Sequence, residues 1–176
     1  MKLRKTFCAF LTSTLILTAA CPSVFAEEPA NLKFIPLDDP EMAAAAARAQ
    51  ASLDDFLAKF DSPPAATENY SVKIGIVDDG DGFALTGLKG VANVEYFWLG
   101  NLQRTSDGFR GTIANEPGIA RNVTAGQAIA FTKADIFDWM YINAGKIVGN
   151  VTACPILLRG PKEELEFYRQ NYGLQC

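Results

Sequence analysis

The hydrophobic period of this chain changes from helical to two near Asn69, and that change constrains the fold more than any other feature. Before it, Met42, Ala45, Ala46, Ala49, Leu53, Phe56, Leu57 and Phe60 fall on one face at helical spacing. After it, Tyr70, Val72, Ile74 and Ile76 alternate with Ser71, Lys73 and Gly75, the pattern of a half-buried strand. A helix therefore feeds into a sheet within one chain. With 176 residues, 49% of them apolar, there is material for one core.

The first helix is predicted from Asp39-Pro40-Glu41 to about Phe60. Asp39 is suited to accept the free N–H groups, Pro40 fits the first helical position, and Glu41 suits the positive end of the dipole. Asp61-Ser62-Pro63-Pro64 stops it. Strands are predicted at 70–76, 94–99, 108–114 and 136–142, and a strand pair or meander at 123–131 around Gly126. Turns fall at Asp78-Asp79-Gly80-Asp81-Gly82, Thr105-Ser106-Asp107-Gly108, Asn115-Glu116-Pro117-Gly118 and Asn143-Ala144-Gly145. Residues 83–93 carry no clear pattern, and residues 151–158 read equally as strand or helix. A last helix spans 161–172, with Gly173 as its left-handed cap. The predicted class is α+β: an N-terminal helix, a curled antiparallel β-sheet or small open barrel, and a C-terminal helix.

The N-terminus carries a different signal. Lys2, Arg4 and Lys5 precede an uncharged stretch from Phe7 to Ala20, and Val24-Phe25-Ala26 then leads into Glu27-Glu28. This is the pattern of a secretory signal peptide over residues 1–26, cleaved between Ala26 and Glu27. The apolar run is too short to span a bilayer. Thr18-Ala19-Ala20-Cys21 is the rival: a lipoprotein box with Thr18 where Leu is usual, which would anchor the chain by a lipid at Cys21. Export leaves one domain, residues 27–176. Thirteen basic and twenty acidic residues remain there, a net charge of −7. It also leaves Cys154 and Cys176, an exported pair expected to form one disulfide, with free thiols as the alternative.

The chain has no histidine. That removes the imidazole base, the Ser-His and Cys-His pairs, and His metal ligands. The acidic balance offers no footprint for nucleic acid. No phosphate loop, dinucleotide fingerprint or nucleophile elbow occurs, and no cofactor is expected. Asp78, Asp79 and Asp81 do not meet the calcium-loop pattern, because Phe83 and Gly90 fall where ligands are needed, so they read as a solvated turn and no metal is expected. Asp135 and Asp138 lie close to Trp139 and Tyr141 and are the one carboxylate pair for acid–base work. The alternative has Asp135 capping a short turn and Asp138 facing water or pairing with Arg121. On the strand Glu95-Tyr96-Phe97-Trp98-Leu99, alternation puts Tyr96 and Trp98 on one face, which is either a ligand or partner surface or packed under a helix.

Several segments together resemble a known family. They are Asp38-Asp39-Pro40-Glu41-Met42, Ala51-Ser52-Leu53-Asp54-Asp55-Phe56, Glu95 to Leu99, Phe109 to Pro117 and Asp138-Trp139-Met140-Tyr141. Over about residues 38–158 the chain resembles the bacterial YegJ-type domain of unknown function. The resemblance implies a small α+β domain, often exported in bacteria, and carries over no activity. The functional expectation is a non-catalytic periplasmic binding or interaction domain for a protein or small ligand of the cell envelope. Its partner surface is expected at Tyr96, Trp98, Asn115, Glu116 and Arg121. The alternatives are an immunity or inhibitor protein acting through its acidic surface, and a hydrolase using Asp135 and Asp138 alone.

Overall fold

In a computed structural model of the chain, residues 39–87 and 92–176 are described. The signal peptide, its cleavage between Ala26 and Glu27, and lipidation at Cys21 lie outside the described residues.

Helix α1 (Pro40–Ala51) opens on Asp39, whose Oδ1 accepts the N–H groups of Glu41 and Met42, each at 3.1 Å. Arg159 braces this start with ion pairs to Asp39 and Glu41. The predicted single helix is in fact two, because α2 (Leu53–Asp61) begins after a break at Ser52. The Ser52 hydroxyl donates back to the carbonyls of Arg48 (2.9 Å) and Ala49 (3.3 Å), a local bond that competes with the helical ladder and bends it.

The strands are β1 (Thr67–Asp79), β2 (Gly82–Leu85), β3 (Glu95–Arg104), β4 (Phe109–Ile113), β5 (Ala128–Phe131), β6 (Ile136–Asn143) and β7 (Lys146–Gly149). They form one antiparallel sheet in the order β5-β4-β3-β1-β6-β7, with β2 also paired to β1. Of the two shapes expected, the sheet is the open one, with β5 and β7 as its edges. Strands β1 and β3 are longer than predicted, and part of the unassigned stretch becomes β2. The predicted meander at 123–131 shrinks to β5, and the chain before it is tied down at 118–122 by side chains rather than by a partner strand.

One sheet face carries the core. Val72, Ile74 and Ile76 of β1 pair with Leu99, Phe97 and Glu95 of β3. Helix α2 lays Phe56 against Trp139, with ring centroids 5.0 Å apart, and the Trp139 indole N–H donates to the Ala49 carbonyl at 2.9 Å. Phe56, Phe97, Ile74, Ile76 and Leu99 are fully buried, each worth roughly 1.5–3 kcal/mol of transfer free energy.

The ambiguous stretch 151–158 is helical. Asn150 adopts a left-handed conformation (φ 55°), a one-turn 3-10 helix covers Val151–Ala153, and α3 (Cys154–Arg159) follows with Pro155 in its first turn. Helix α4 (Lys162–Tyr172) ends on Gly173 at φ 63°, a left-handed cap that favours glycine. Cys154 and Cys176 are joined in a disulfide, and Leu174 beside it is buried against Leu157 and Leu165.

Candidate functional site

The second face of the sheet brings together residues far apart in the chain. Cross-strand pairing sets Lys73 of β1 between Trp98 of β3 and Asp138 of β6. The Lys73 ammonium lies 4.7 Å from the centre of the Trp98 ring, a cation–π contact, and donates to Thr152 Oγ1 at 2.7 Å. The Thr152 hydroxyl donates in turn to Asp138 Oδ2 at 2.6 Å, and the Thr152 N–H donates to the same oxygen at 2.9 Å. The other Asp138 oxygen accepts the Trp139 N–H at 2.8 Å. Burial pushes the Lys73 ammonium below its ordinary pKa, and the Asp138 charge opposes that.

This chain of bonds corrects one expectation and weakens another. Asp138 neither faces water nor pairs with Arg121. It is fully buried and holds the 3-10 turn at Thr152 onto β6. Nor are Asp135 and Asp138 gathered around one reacting centre. Asp135 accepts the Thr132 N–H and hydroxyl, each at 2.8 Å, in a capping box at the 3-10 turn Lys133–Asp135. The two carboxylates are thus engaged with different segments.

Trp98 and Tyr96 share the second face but differ in setting. Trp98 is half-buried, and its backbone N–H donates to Asn115 Oδ1 at 2.9 Å. Tyr96 lies 4.4 Å, centre to centre, from the ring of Phe137. Its hydroxyl is shielded from solvent and has no hydrogen-bond partner among the described residues, and burial raises its pKa to about 12. Gly75 makes room for this: a Cβ there would stand 2.4 Å from Thr86 Oγ1 and 3.2 Å from the Tyr96 ring. Tyr96 and Trp98 are thus both half-buried, and what separates them is that the Tyr96 hydroxyl is enclosed while the Trp98 ring lies against the Lys73 ammonium.

Beside Trp98 the segment 115–122 is clamped by two carboxylates that sequence reasoning missed in this role. Buried Glu95 accepts the N–H groups of Gly118 (2.7 Å), Ile119 (2.7 Å) and Ala120 (2.8 Å). Asp78 accepts those of Arg121 (3.0 Å) and Asn122 (3.1 Å). The Asn122 side chain donates to the carbonyls of Gly80 and Gly82, closing the loop onto the β1–β2 turn. Five successive backbone donors are satisfied without a strand. Exposed side chains on this loop include Glu116, Ile119 and Arg121, and Arg121 has no ion pair among the described residues. The one signal for Glu95 in the sequence is its alternation with Phe97 and Leu99, which places it on the buried face.

Fold and site together define an open-sheet α+β domain with a braced tryptophan on one sheet face and a loop clamped by a carboxylate of the other. The chain belongs to the family described as an uncharacterized protein conserved in bacteria (DUF2314), whose model matches residues 39–176. It is similar to the uncharacterized protein YegJ of Escherichia coli (strain K12), at 35% identity over 132 residues, 75% of this chain and 77% of that protein. No solved structure matches the chain.

Proposed function

We propose that this is an exported, non-catalytic binding domain that engages a cell-envelope partner through Trp98 and the adjoining 115–122 loop. The observation that carries the reading is the bracing of Trp98. Its ring rests on the Lys73 ammonium, and its backbone is tied to Asn115. A partly exposed aromatic side chain already held in place loses little entropy on binding, which is what an interface anchor requires. The clamped loop beside it is ordered in advance in the same way. Both Asp138 oxygens and the Thr152 hydroxyl are engaged in hydrogen bonds that hold the 3-10 turn onto β6, which favours a scaffold role over proton transfer. Export is supported by the N-terminal pattern and by the disulfide, which suits an oxidising compartment. Among the described residues no helix is long and apolar enough to cross a membrane.

The test compares the wild-type protein with Trp98→Ala, each recovered from the periplasm with its cross-linked partners. Trp98→Ala should weaken capture of a specific partner by about thirtyfold while leaving the unfolding midpoint close to wild type. Equal capture by both proteins, or unfolding of the variant, would sink the proposal. Binding that also fell steeply with added salt would favour the immunity or inhibitor reading, in which the −7 charge docks on a basic protein.

A further inference from the structure

The ladder between β1 and β3 stops early. Val72↔Leu99 is its last pair. Beyond it β1 continues alongside β6, through Ser71↔Met140 and Glu68↔Ile142, and β3 continues alongside β4, through Gly100↔Thr112 and Gln103↔Arg110. The two central strands therefore part, and a cleft of about 440 Å³ opens between them.

The parting is built by matching irregularities. Each strand carries a bulge at this level, between Glu68 and Ser71 on β1 and between Gly100 and Gln103 on β3. In each bulge an asparagine takes the left-handed conformation, Asn69 at φ 55° and Asn101 at φ 50°. Bulges bend strands, and left-handed residues other than glycine persist only where the surroundings hold them. Helix α2 ties down one of the two strands. Asp61 accepts two hydrogen bonds from Arg104, each at 2.7 Å, fastening the outlying end of β3 to the end of α2.

The lining has a consistent chemistry. Phe60 and Tyr70, half-buried and 6.0 Å apart at their ring centres, line the cleft, one face of Tyr70 being stacked on Tyr141. Asn69, Asn101 and Ser71 contribute groups that both donate and accept hydrogen bonds. The side-chain amides of Asn69 and Asn101 have no hydrogen-bond partner among the described residues. No lining residue is charged. Residues 69–71 and 100–102 also lie outside the β1–β3 ladder, and the Ser71 hydroxyl donates to the Asn69 carbonyl at 3.3 Å. The volume falls within the range of small-molecule sites, roughly 300–1,000 Å³.

We propose that this cleft between the splayed ends of β1 and β3 binds a neutral saccharide. A sugar ring matches the lining: its C–H face lies against Phe60 and Tyr70, and its hydroxyls meet the two amides and Ser71. A charged ligand would lose hydration here without gaining an opposite charge. This site stands apart from the Trp98 surface, and neither proposal depends on the other.

The test uses the isotopically labelled protein and follows its backbone amide resonances. The probes are maltotriose and chitotriose, with glucuronate and a capped tri-alanine peptide as comparisons. At least one of the two trisaccharides should shift the amides of Asn69 to Ser71 and Gly100 to Leu102 saturably. Asn101→Gly and Asn69→Gly keep the left-handed backbone while removing the amide. Each should weaken that binding by about tenfold and leave the melting temperature unchanged or higher. The proposal fails if neither trisaccharide shifts these amides, if the capped peptide or glucuronate shifts them instead, or if both variants bind as wild type does.

Discussion

Glu95 shows how much one side chain decides. It sits opposite Ile76 on the core face, where a carboxylate is costly unless paired, and three backbone N–H groups compensate it. Glu95→Gln keeps the size but turns one acceptor into a donor, so at least one N–H loses its partner. Stability should fall by about 1–3 kcal/mol in urea unfolding. Hydrogen exchange at Gly118, Ile119 and Ala120 should quicken while the β3 amides stay protected; unchanged exchange there would show that Glu95 does not hold the loop. Tyr96 offers a second test at this scale. Its phenol titrates near 12 in the folded protein against an ordinary 10.0. From pH 10 toward 12 the unfolded chain gives up this proton first, so stability should fall as pH rises through that window. Ultraviolet absorbance should show a late ionisation that Tyr96→Phe removes together with its share of the alkaline loss. Alternation along Glu95 to Leu99 made the split into two faces legible. It did not reveal that the Tyr96 hydroxyl is enclosed, because Gly75 and Phe137, which pack around that ring, come from other strands.

At the scale of elements, helix starts and stops were the most legible features, since caps and breakers act within a few residues. Asp39, Pro40 and Gly173 stand where the predicted helix ends need them. The break at Ser52 was missed because serine is common inside helices and bends one only when its hydroxyl turns back to the preceding carbonyls. The segment from Ala114 to Gln127 misled for a related reason. A strand pair is expected at 123–131, but only β5 forms there, and just before it the backbone donors of 118–122 are taken by Glu95 and Asp78, which belong to β3 and β1. The disulfide fastens the tail after α4 to the start of α3 across a separation of 22 residues. Replacing both Cys154 and Cys176 with serine should cost about 3 kcal/mol by the loop-entropy account. For a domain of this size that lowers the melting temperature by about 6–12 °C in calorimetry. A melting temperature within a degree or so of wild type would show that the buried Leu157, Leu165 and Leu174 contact holds the tail unaided.

At the scale of the whole molecule, the sequence by itself determined the α+β class, the division of the strands into two faces, the lack of any imidazole chemistry and the Cys154 and Cys176 pair as disulfide candidates. Each of these depends on local period or on composition, which a single chain displays directly. Only the tertiary structure decided that the sheet stays open, that Trp98, Lys73 and Asp138 stand side by side, and that β1 and β3 part at Val72 and Leu99. Those outcomes depend on register. A period of two says which face a residue occupies but not which residue of a distant strand lies opposite it. Register here is set by bulges at Asn69 and Asn101, by the Arg104–Asp61 clasp and by the packing of Phe56 on Trp139, contacts between segments that are remote along the chain.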